Sequence, residues 1–234
     1  MARRLFDEWF VHFRFPGHEG HKMVETEHGR LPEGWLLRRL DSVASVNART
    51  LRPADAPERI RYIDIASVSP GCVDQIADLS FVDAPGRARR LVCDGSVVWS
   101  TVRPNRRSYA VILNPPEGLV VSTGFAVLDA TTIPFSYLYM ATTTDAFVGY
   151  LVGRATGSAY PAVTGATFSE AQILVPAAPL LTLFGRQSEP PIRMIGHLRQ
   201  AITHLAASRD LLLPRLISGD LSLTTAEREL ETAA

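Results

Sequence analysis

The feature that most constrains the fold is an apolar stripe near the C-terminus, with members three and four residues apart. Its members, interrupted once by Arg209, are Ile195, Leu198, Ile202, Leu205, Leu212 and Leu216. This alternation is that of a heptad seam, and it predicts an amphipathic helix, strained at Pro214, whose apolar side needs cover. Two interpretations stay open: the helix lies on its own domain, or it pairs with another helix as a coiled coil.

A second helical face lies at the N-terminus, and a polar stretch follows it. Residues 2–15 carry five apolar side chains at helical spacing, and Pro16 and Gly17 end the pattern. Residues 16–30 are polar and interrupted by glycine, so we predict a linker there.

The middle of the chain combines short β-like runs with helical segments. The runs, separated by turn residues, are 61–68, 91–102, 109–113, 119–128 and 172–175. Residues 136–152 indicate one or two short helices, and residues 154–168 a loop of small residues. We therefore predict an α+β fold: a globular mixed domain with a twisted β-sheet, followed by a long C-terminal coiled-coil-type helix.

Composition excludes several classes of protein. The 24 basic and 24 acidic residues balance, so binding to nucleic acid by bulk charge alone is excluded. Two cysteines are too few for a disulfide framework and favour a reducing, cytoplasmic location. No apolar run reaches the roughly 18 residues of a membrane-spanning helix, so no membrane partner is expected.

The densest basic stretch is the candidate binding site. It contains one acid, Asp94, and six arginines: Arg87, Arg89, Arg90, Arg103, Arg106 and Arg107. The last three arginines lie in a loop between two β-like runs, and neutral hydrogen-bonding groups are added by Ser100, Thr101, Asn105 and Ser108. Arginine mixed with Asn, Ser and Thr is typical of surfaces that contact phosphates and base edges. The alternative is a solvated loop whose charge is incidental.

Motifs of catalysis are missing from the sequence. There is no GxSxG elbow, GxGxxG fingerprint or Walker loop, and the histidines His18, His21 and His28 lack the cysteine pair or HExxH pattern of zinc sites. Residues 114–117 (NPPE) begin like an adenine methyltransferase motif, but Glu117 replaces the aromatic residue that would stack on a flipped base. We expect no catalytic residue, no metal and no cofactor, and hence no methyltransferase, nuclease or ATPase activity.

Several motifs together resemble the specificity subunit of type I restriction–modification systems, and in particular its C-terminal half. In chain order they are RLFDEWFVHFRFPG (4–17), LPEGW (31–35), VVWSTVRPNRRS (97–108), STGFAVL (122–128), GSAYPAV (157–163), ILVP (173–176) and RDLLLPRLISGDL (209–221). Their order and spacing cover nearly the whole chain.

The resemblance implies a non-catalytic subunit that selects DNA for its partners. In this family, two target-recognition domains, held apart by two antiparallel helices, each read half of a split double-stranded DNA target. The helices dock the methyltransferase subunits that methylate the DNA, and a restriction and motor subunit joins them. The resemblance adds these DNA-contacting candidates: Ser122, Thr123, Gly157, Ser158 and Tyr160. The alternative is a regulatory fragment that docks on the methyltransferase through its helix and reads no DNA.

The resemblance also sets the expected domains. We expect a helix stub and linker at 1–30, a target-recognition domain at 31–188, a helix for dimerisation or docking at 189–220, and a disordered acidic tail at 221–234. With one recognition domain, the chain is expected to be either a half subunit that pairs with itself or a fragment of a longer chain. The segment ILVPAAP lacks the Glu-Gln that usually opens the long helix, which leaves helix length and half-site spacing open.

Overall fold

A computed structural model describes residues 1–27 and 29–219. The acidic tail expected at 221–234 lies outside these residues, as does His28. The chain divides into two compact units, Met1–Pro190 and a second that begins at Pro191. No helix of the described residues is both long enough and apolar enough to cross a membrane.

The described residues form five α-helices and fourteen strands. The helices are α1 (Ala2–Phe6), α2 (Phe135–Thr142), α3 (Asp145–Arg154), α4 (Gly165–Glu170) and α5 (Ala178–Ile217). The strands are β1 (Met23–Thr26), β2 (Gly29–Pro32), β3 (Leu36–Arg39), β4 (Ala44–Val46), β5 (Arg59–Ile63), β6 (Val68–Ser69), β7 (Cys72–Val73), β8 (Ala77–Ser80), β9 (Ala88–Leu91), β10 (Val97–Ser100), β11 (Tyr109–Val111), β12 (Leu119–Ser122), β13 (Phe125–Ala130) and β14 (Gln172–Val175). The predicted α+β class with a long C-terminal helix is confirmed.

The N-terminal helical face is buried in the first unit. Helix α1 continues as a π-helical turn over Asp7–Val11. The ring of Phe10 lies 4.9 Å from that of Tyr137 in α2 and 5.0 Å from that of Phe184 in α5. Phe13, with a φ of +57°, leaves the helical conformation, and Pro16 follows.

The stretch predicted to be a linker contains a β-hairpin. Strands β1 and β2 pair antiparallel, with Thr26 opposite Gly29. Leu31 and Pro32 are buried, Met23 and Val24 are half-buried, and the other residues of the two strands are exposed. Because so few apolar residues are buried, the polar composition of 16–30 hid the strands.

Two four-stranded sheets form the centre of the first unit. One has the order β11-β10-β13-β4 and is antiparallel, and the other has the order β8-β5-β12-β9 with β5 and β12 parallel. A single buried cluster draws side chains from both sheets, including Val98, Val121 and Phe125. Strands β12 and β13 are consecutive in the chain but lie in different sheets, so the turn between them, Thr123 and Gly124, joins the two sheets.

Three helices and a small sheet complete the first unit. Thr144 caps α3 by accepting from the Phe147 amide, and a capping box between Thr164 and Thr167 begins α4 within the predicted loop 154–168. Strand β14 pairs antiparallel with β3.

Helix α5 is 40 residues long and begins eleven residues before the predicted helix. Its first part is core: Leu181, Phe184 and Ser188 are buried in the first unit. Just before the helix, the Ala177 carbonyl accepts from the Leu180 and Leu181 amides. Pro190, Pro191 and Pro214 all lie within the helix.

In the second unit the predicted apolar stripe is exposed. Ile195, Leu198, Ile202 and Leu205 are between 51 and 69% exposed. Leu212 is 41% exposed, and Leu216 is partly buried.

Candidate nucleic-acid interface

Four segments of the first unit lie side by side where strands of the two sheets end. The Thr123 amide donates to the Arg87 carbonyl (2.7 Å), the Thr101 amide to the Gly124 carbonyl (2.8 Å), and the Val163 amide to the Thr101 carbonyl (2.9 Å). We call this surface the loop rim and define it as Arg87, residues 101–108, Thr123 and Gly124, and residues 156–163. It contains four arginines and no acidic residue.

The loop between β10 and β11 has a constrained backbone. Arg103 and Arg107 both have positive φ, +50° and +57°, on either side of a 3-10 turn at Pro104–Arg106. Such a conformation costs a non-glycine residue roughly 1–2 kcal/mol, so the surroundings must hold it. They do so through the Arg103 amide, which donates to the Pro161 carbonyl at 2.7 Å, and through the buried ring of Pro104.

Arg103 and Tyr160 bring two loops into side-chain contact. The guanidinium carbon of Arg103 lies 4.5 Å from the centroid of the Tyr160 ring, and its Nη2 donates to the Ala159 carbonyl at 3.1 Å. Tyr160 is 69% exposed. Gly157, with a φ of +96°, makes this turn possible, because an added Cβ would lie 3.1 Å from the Tyr160 carbonyl oxygen.

Two arginines of the loop rim are paired with carboxylates. Arg87 forms an ion pair with Asp64 and donates from Nε to the Tyr62 hydroxyl at 3.1 Å. These hydrogen bonds, to Tyr62 and then to Asp64, raise the pKa of Arg87. Arg107 forms an ion pair with Asp145 at the start of α3 (2.5 Å). Both pairs are largely exposed, so each contributes little to stability.

The remaining polar candidates fall into two groups. Asn105, Arg106, Thr123 and Ser158 are exposed. Within the described residues, the Arg106 side chain has no ion-pair partner. Ser100 and Ser122 are buried instead, where the Ser100 hydroxyl donates to the Val102 carbonyl (2.8 Å) and that of Ser122 accepts from the Gly124 amide (3.2 Å). The Thr101 hydroxyl donates to the Gly124 carbonyl (2.9 Å), so these three hydroxyls support the loops.

The structure separates Arg89 and Arg90 from the other predicted arginines. Both lie along β9, which runs away from the loop rim beside β12. Arg89 stacks on Phe81 at 4.9 Å, and Arg90 donates to the Thr50 hydroxyl at 3.3 Å, while the buried Nε of Arg90 has no hydrogen-bond partner.

Sequence reasoning missed the partners of the loop-rim arginines. Asp64 lies 23 residues from Arg87, and Asp145 lies 38 residues from Arg107. No local pattern marks pairs at such separations, because they depend on which strands and helices become neighbours. The one available signal is that Asp64 directly follows a strand and Asp145 begins a helix, positions where acidic side chains often serve local roles.

Comparison with known proteins finds similarity to restriction–modification proteins. No family model matches it. The type I restriction enzyme MjaIX specificity subunit of Methanocaldococcus jannaschii is 21% identical over 230 residues, which cover 94% of this chain and 52% of that protein. This chain therefore spans about half the length of the curated relative that it matches.

Two solved structures share the fold. The HsdS subunit from Thermoanaerobacter tengcongensis superimposes with a TM-score of 0.61 at 22% identity, over 81% of this chain and 50% of that one. A chain from a study of complex assembly and conformational transition of the type I R-M system gives a TM-score of 0.58 at 24% identity, over 82% of this chain and 51% of that one. The resemblance indicated by the sequence is thus confirmed: the chain is similar to about half of a type I restriction–modification specificity subunit.

Proposed function

We propose that this chain recognises one half of a split target in double-stranded DNA, as a non-catalytic specificity subunit, or part of one, of a type I restriction–modification complex. The observation that carries the proposal is the loop rim, where two sheets bring Arg103, Asn105, Arg106 and Tyr160 to one edge. The partners supply the chemistry: a methyltransferase subunit modifies the DNA, and a restriction and motor subunit cleaves it. A role on chromosomal DNA places the chain in the cytoplasm.

The charges of the loop rim favour selectivity for a DNA sequence over high affinity for DNA. Two of its four arginines have a carboxylate partner, and the whole chain is neutral. Since counterion release scales with the number of neutralised phosphates, the isolated chain should bind DNA weakly. Base contacts worth about 1–3 kcal/mol each would still select a sequence once partner subunits hold the duplex.

The exposed stripe of the second unit supports a docking role for α5. Burying one leucine or isoleucine contributes roughly 1.5–3 kcal/mol, so a stripe of six would be a strong association site. We propose that a helix of another subunit covers it, either a second copy of this chain or the methyltransferase subunit. Its regular spacing favours a helical partner.

A second copy would give a two-fold pair with antiparallel helices and a split, palindromic DNA target. The charges of this segment disfavour a second copy. Between Pro191 and Gly219 the sequence has four arginines and one aspartate, so two copies would repel and a helix rich in acidic residues would not. In the second candidate function, the chain also docks on the methyltransferase subunit but reads no DNA.

The direct test is methylation by the reconstituted complex. A cognate type I methyltransferase subunit would be purified with this chain, and the methylated positions of genomic DNA would be mapped at single-base resolution. We expect one split motif that appears only when this chain is present. The triple variant Arg103→Ala, Asn105→Ala, Arg106→Ala should lose the motif, whereas Arg38→Ala, which removes an exposed arginine of β3, should retain it.

Two outcomes would contradict the reading function. If the complex assembles but methylates without sequence preference, the chain is a docking fragment. If the triple variant keeps the wild-type motif and rate, the loop rim is not the reading surface.

A further inference from the structure

We infer that Arg103 reads a guanine in the target half-site and that Tyr160 is the positioning residue that holds it. This inference rests on the proposed function and names the base that one loop-rim residue recognises. The four arginines of the loop rim differ in the contacts that their guanidinium groups make.

Two of the four arginines already have a carboxylate partner. Arg87 donates to Asp64 and Tyr62, and Arg107 donates to Asp145. Bidentate recognition of guanine needs two parallel N–H groups of one guanidinium directed at O6 and N7. The carboxylates orient Arg87 and Arg107 and neutralise their charge, so these two arginines are better suited to hold the loops.

Arg106 and Arg103 differ in how firmly their guanidinium groups are held. Arg106 is exposed, and the structure gives its side chain no partner within the described residues. A long, unconstrained side chain of this kind is suited to a phosphate contact, because phosphate oxygens accept hydrogen bonds from many directions. The guanidinium carbon of Arg103 instead lies 4.5 Å from the centroid of the Tyr160 ring, which holds the group over that ring.

The hydrogen bond of Arg103 to the Ala159 carbonyl holds the guanidinium group at a second point. It uses one N–H of Nη2, at 3.1 Å, and leaves four of the five guanidinium N–H donors available. The backbone beneath is also held, because Arg103 has a positive φ and its amide donates to Pro161. A planar fork fixed in this way loses little conformational entropy on binding, and the contact it fits best is the O6 and N7 edge of guanine in the major groove.

The test uses the complete complex with its methyltransferase subunit and measures DNA binding and methylation across all single-base variants of the mapped target. We expect Arg103→Ala to reduce discrimination at a single G·C position by about 10- to 100-fold and to leave the other positions unchanged. Arg103→Lys should not restore it, because an ammonium group cannot present a planar fork. Tyr160→Phe, which retains the ring, should keep the discrimination, whereas Tyr160→Ala should lose about 2- to 5-fold at the same position.

A chemical probe separates base reading from structural support. Replacing the guanine by 7-deazaguanine removes N7 and should weaken wild-type binding about 10-fold, while the Arg103→Ala complex should be insensitive to the replacement. The control Arg106→Ala should weaken binding to all sequences alike and reduce the salt dependence by about one unit.

Each contrary result has a definite meaning. Uniform weakening by Arg103→Ala, with no change in base preference, would assign Arg103 to a phosphate and overturn the inference while the proposed function stands. An unchanged motif in Arg103→Ala would do the same. A wild-type complex without sequence preference would overturn both.

Discussion

The N-terminal helical segment and the later part of α5 carry similar apolar faces but differ in what covers them. Phe6, Trp9 and Phe10 are buried against α2 and the first part of α5. Ile202 and Leu205, in the second unit, are 66 and 69% exposed.

This difference shows that helical periodicity predicts which side of a helix will be apolar but not what will bury it. The N-terminal segment presents bulky aromatic rings, which form edge-to-face contacts within one core. The α5 stripe presents branched aliphatic side chains at heptad spacing, which suits packing between two helices. The first helix therefore stabilises the fold, and the second is available for assembly.

The largest expected effect is on the covered helix. Phe10→Ala should lower the free energy of unfolding of the first unit by about 3–5 kcal/mol, because it leaves a cavity among Trp35, Tyr137 and Phe184. Urea unfolding followed by tryptophan fluorescence measures it. Val11→Ala, at an exposed position of the same segment, is the matched control and should change little. Equal effects of Phe10→Ala and Val11→Ala would contradict the assignment of the N-terminal apolar face as a stabilising part of the first unit.

The stripe of α5 should respond in the opposite way. Ile202→Glu with Leu205→Glu should leave the unfolding of the first unit unchanged but weaken association by at least about 100-fold, because charge replaces two apolar contacts. Sedimentation of the chain alone and with the methyltransferase subunit measures this at micromolar concentration. Self-association lost in the variant supports the second copy, and loss only of the mixed complex supports the methyltransferase. If the variant assembles like the wild type in both mixtures, the stripe is not an interface.

A smaller effect is expected at a buried serine of α5, and an exposed serine of the same helix is the control. Buried Ser188 donates to Phe184 O (2.7 Å) and lies 2.8 Å from the Ser136 hydroxyl, so Ser188→Ala should cost about 1 kcal/mol. Ser208→Ala, at an exposed position, should leave the unfolding midpoint of the first unit unchanged. The same urea titrations would measure both variants, and a cost at Ser208 matching that at Ser188 would contradict the assignment.

The smallest effect is a pH dependence at the N-terminal segment. The Arg14 side chain, hydrogen-bonded to Glu8 at 2.6 Å, lowers the pKa of Glu8 below its ordinary value of 4.5. A carboxyl group with a lowered pKa contributes stability above the unfolded pKa and loses it as pH falls through the folded pKa. The difference in unfolding midpoint between wild type and Glu8→Gln should therefore be present at pH 7 and absent at pH 2. A difference that is the same at both values would show that the pair is not linked to folding.

Several features of this chain could be predicted because they depend on neighbouring residues in the sequence. The aromatic spacing in 2–15 predicted the first helix, and the apolar run around Val97 predicted β10. The stripe from Ile195 to Leu216 predicted the later part of α5. In each case helical spacing or a short apolar run marks the local structure directly. The arginine loop was also visible, because strand–loop–strand patterns present their polar residues at the surface.

The rest depended on contacts between residues far apart in the sequence. The hairpin at 23–32 is too polar to be recognised alone, and the early start of α5 follows from the burial of Leu181 and Phe184 in the first unit. The passage of the chain from one sheet to the other at Thr123 brings Arg87, Thr101 and the loop of Tyr160 together. Asp64 and Asp145 are the carboxylate partners of two loop-rim arginines. No local sequence pattern connects these aspartates to the arginines that they pair with. Local periodicity reflects the energetics of single helices and strands, whereas the composition of the loop rim depends on how the two sheets pack.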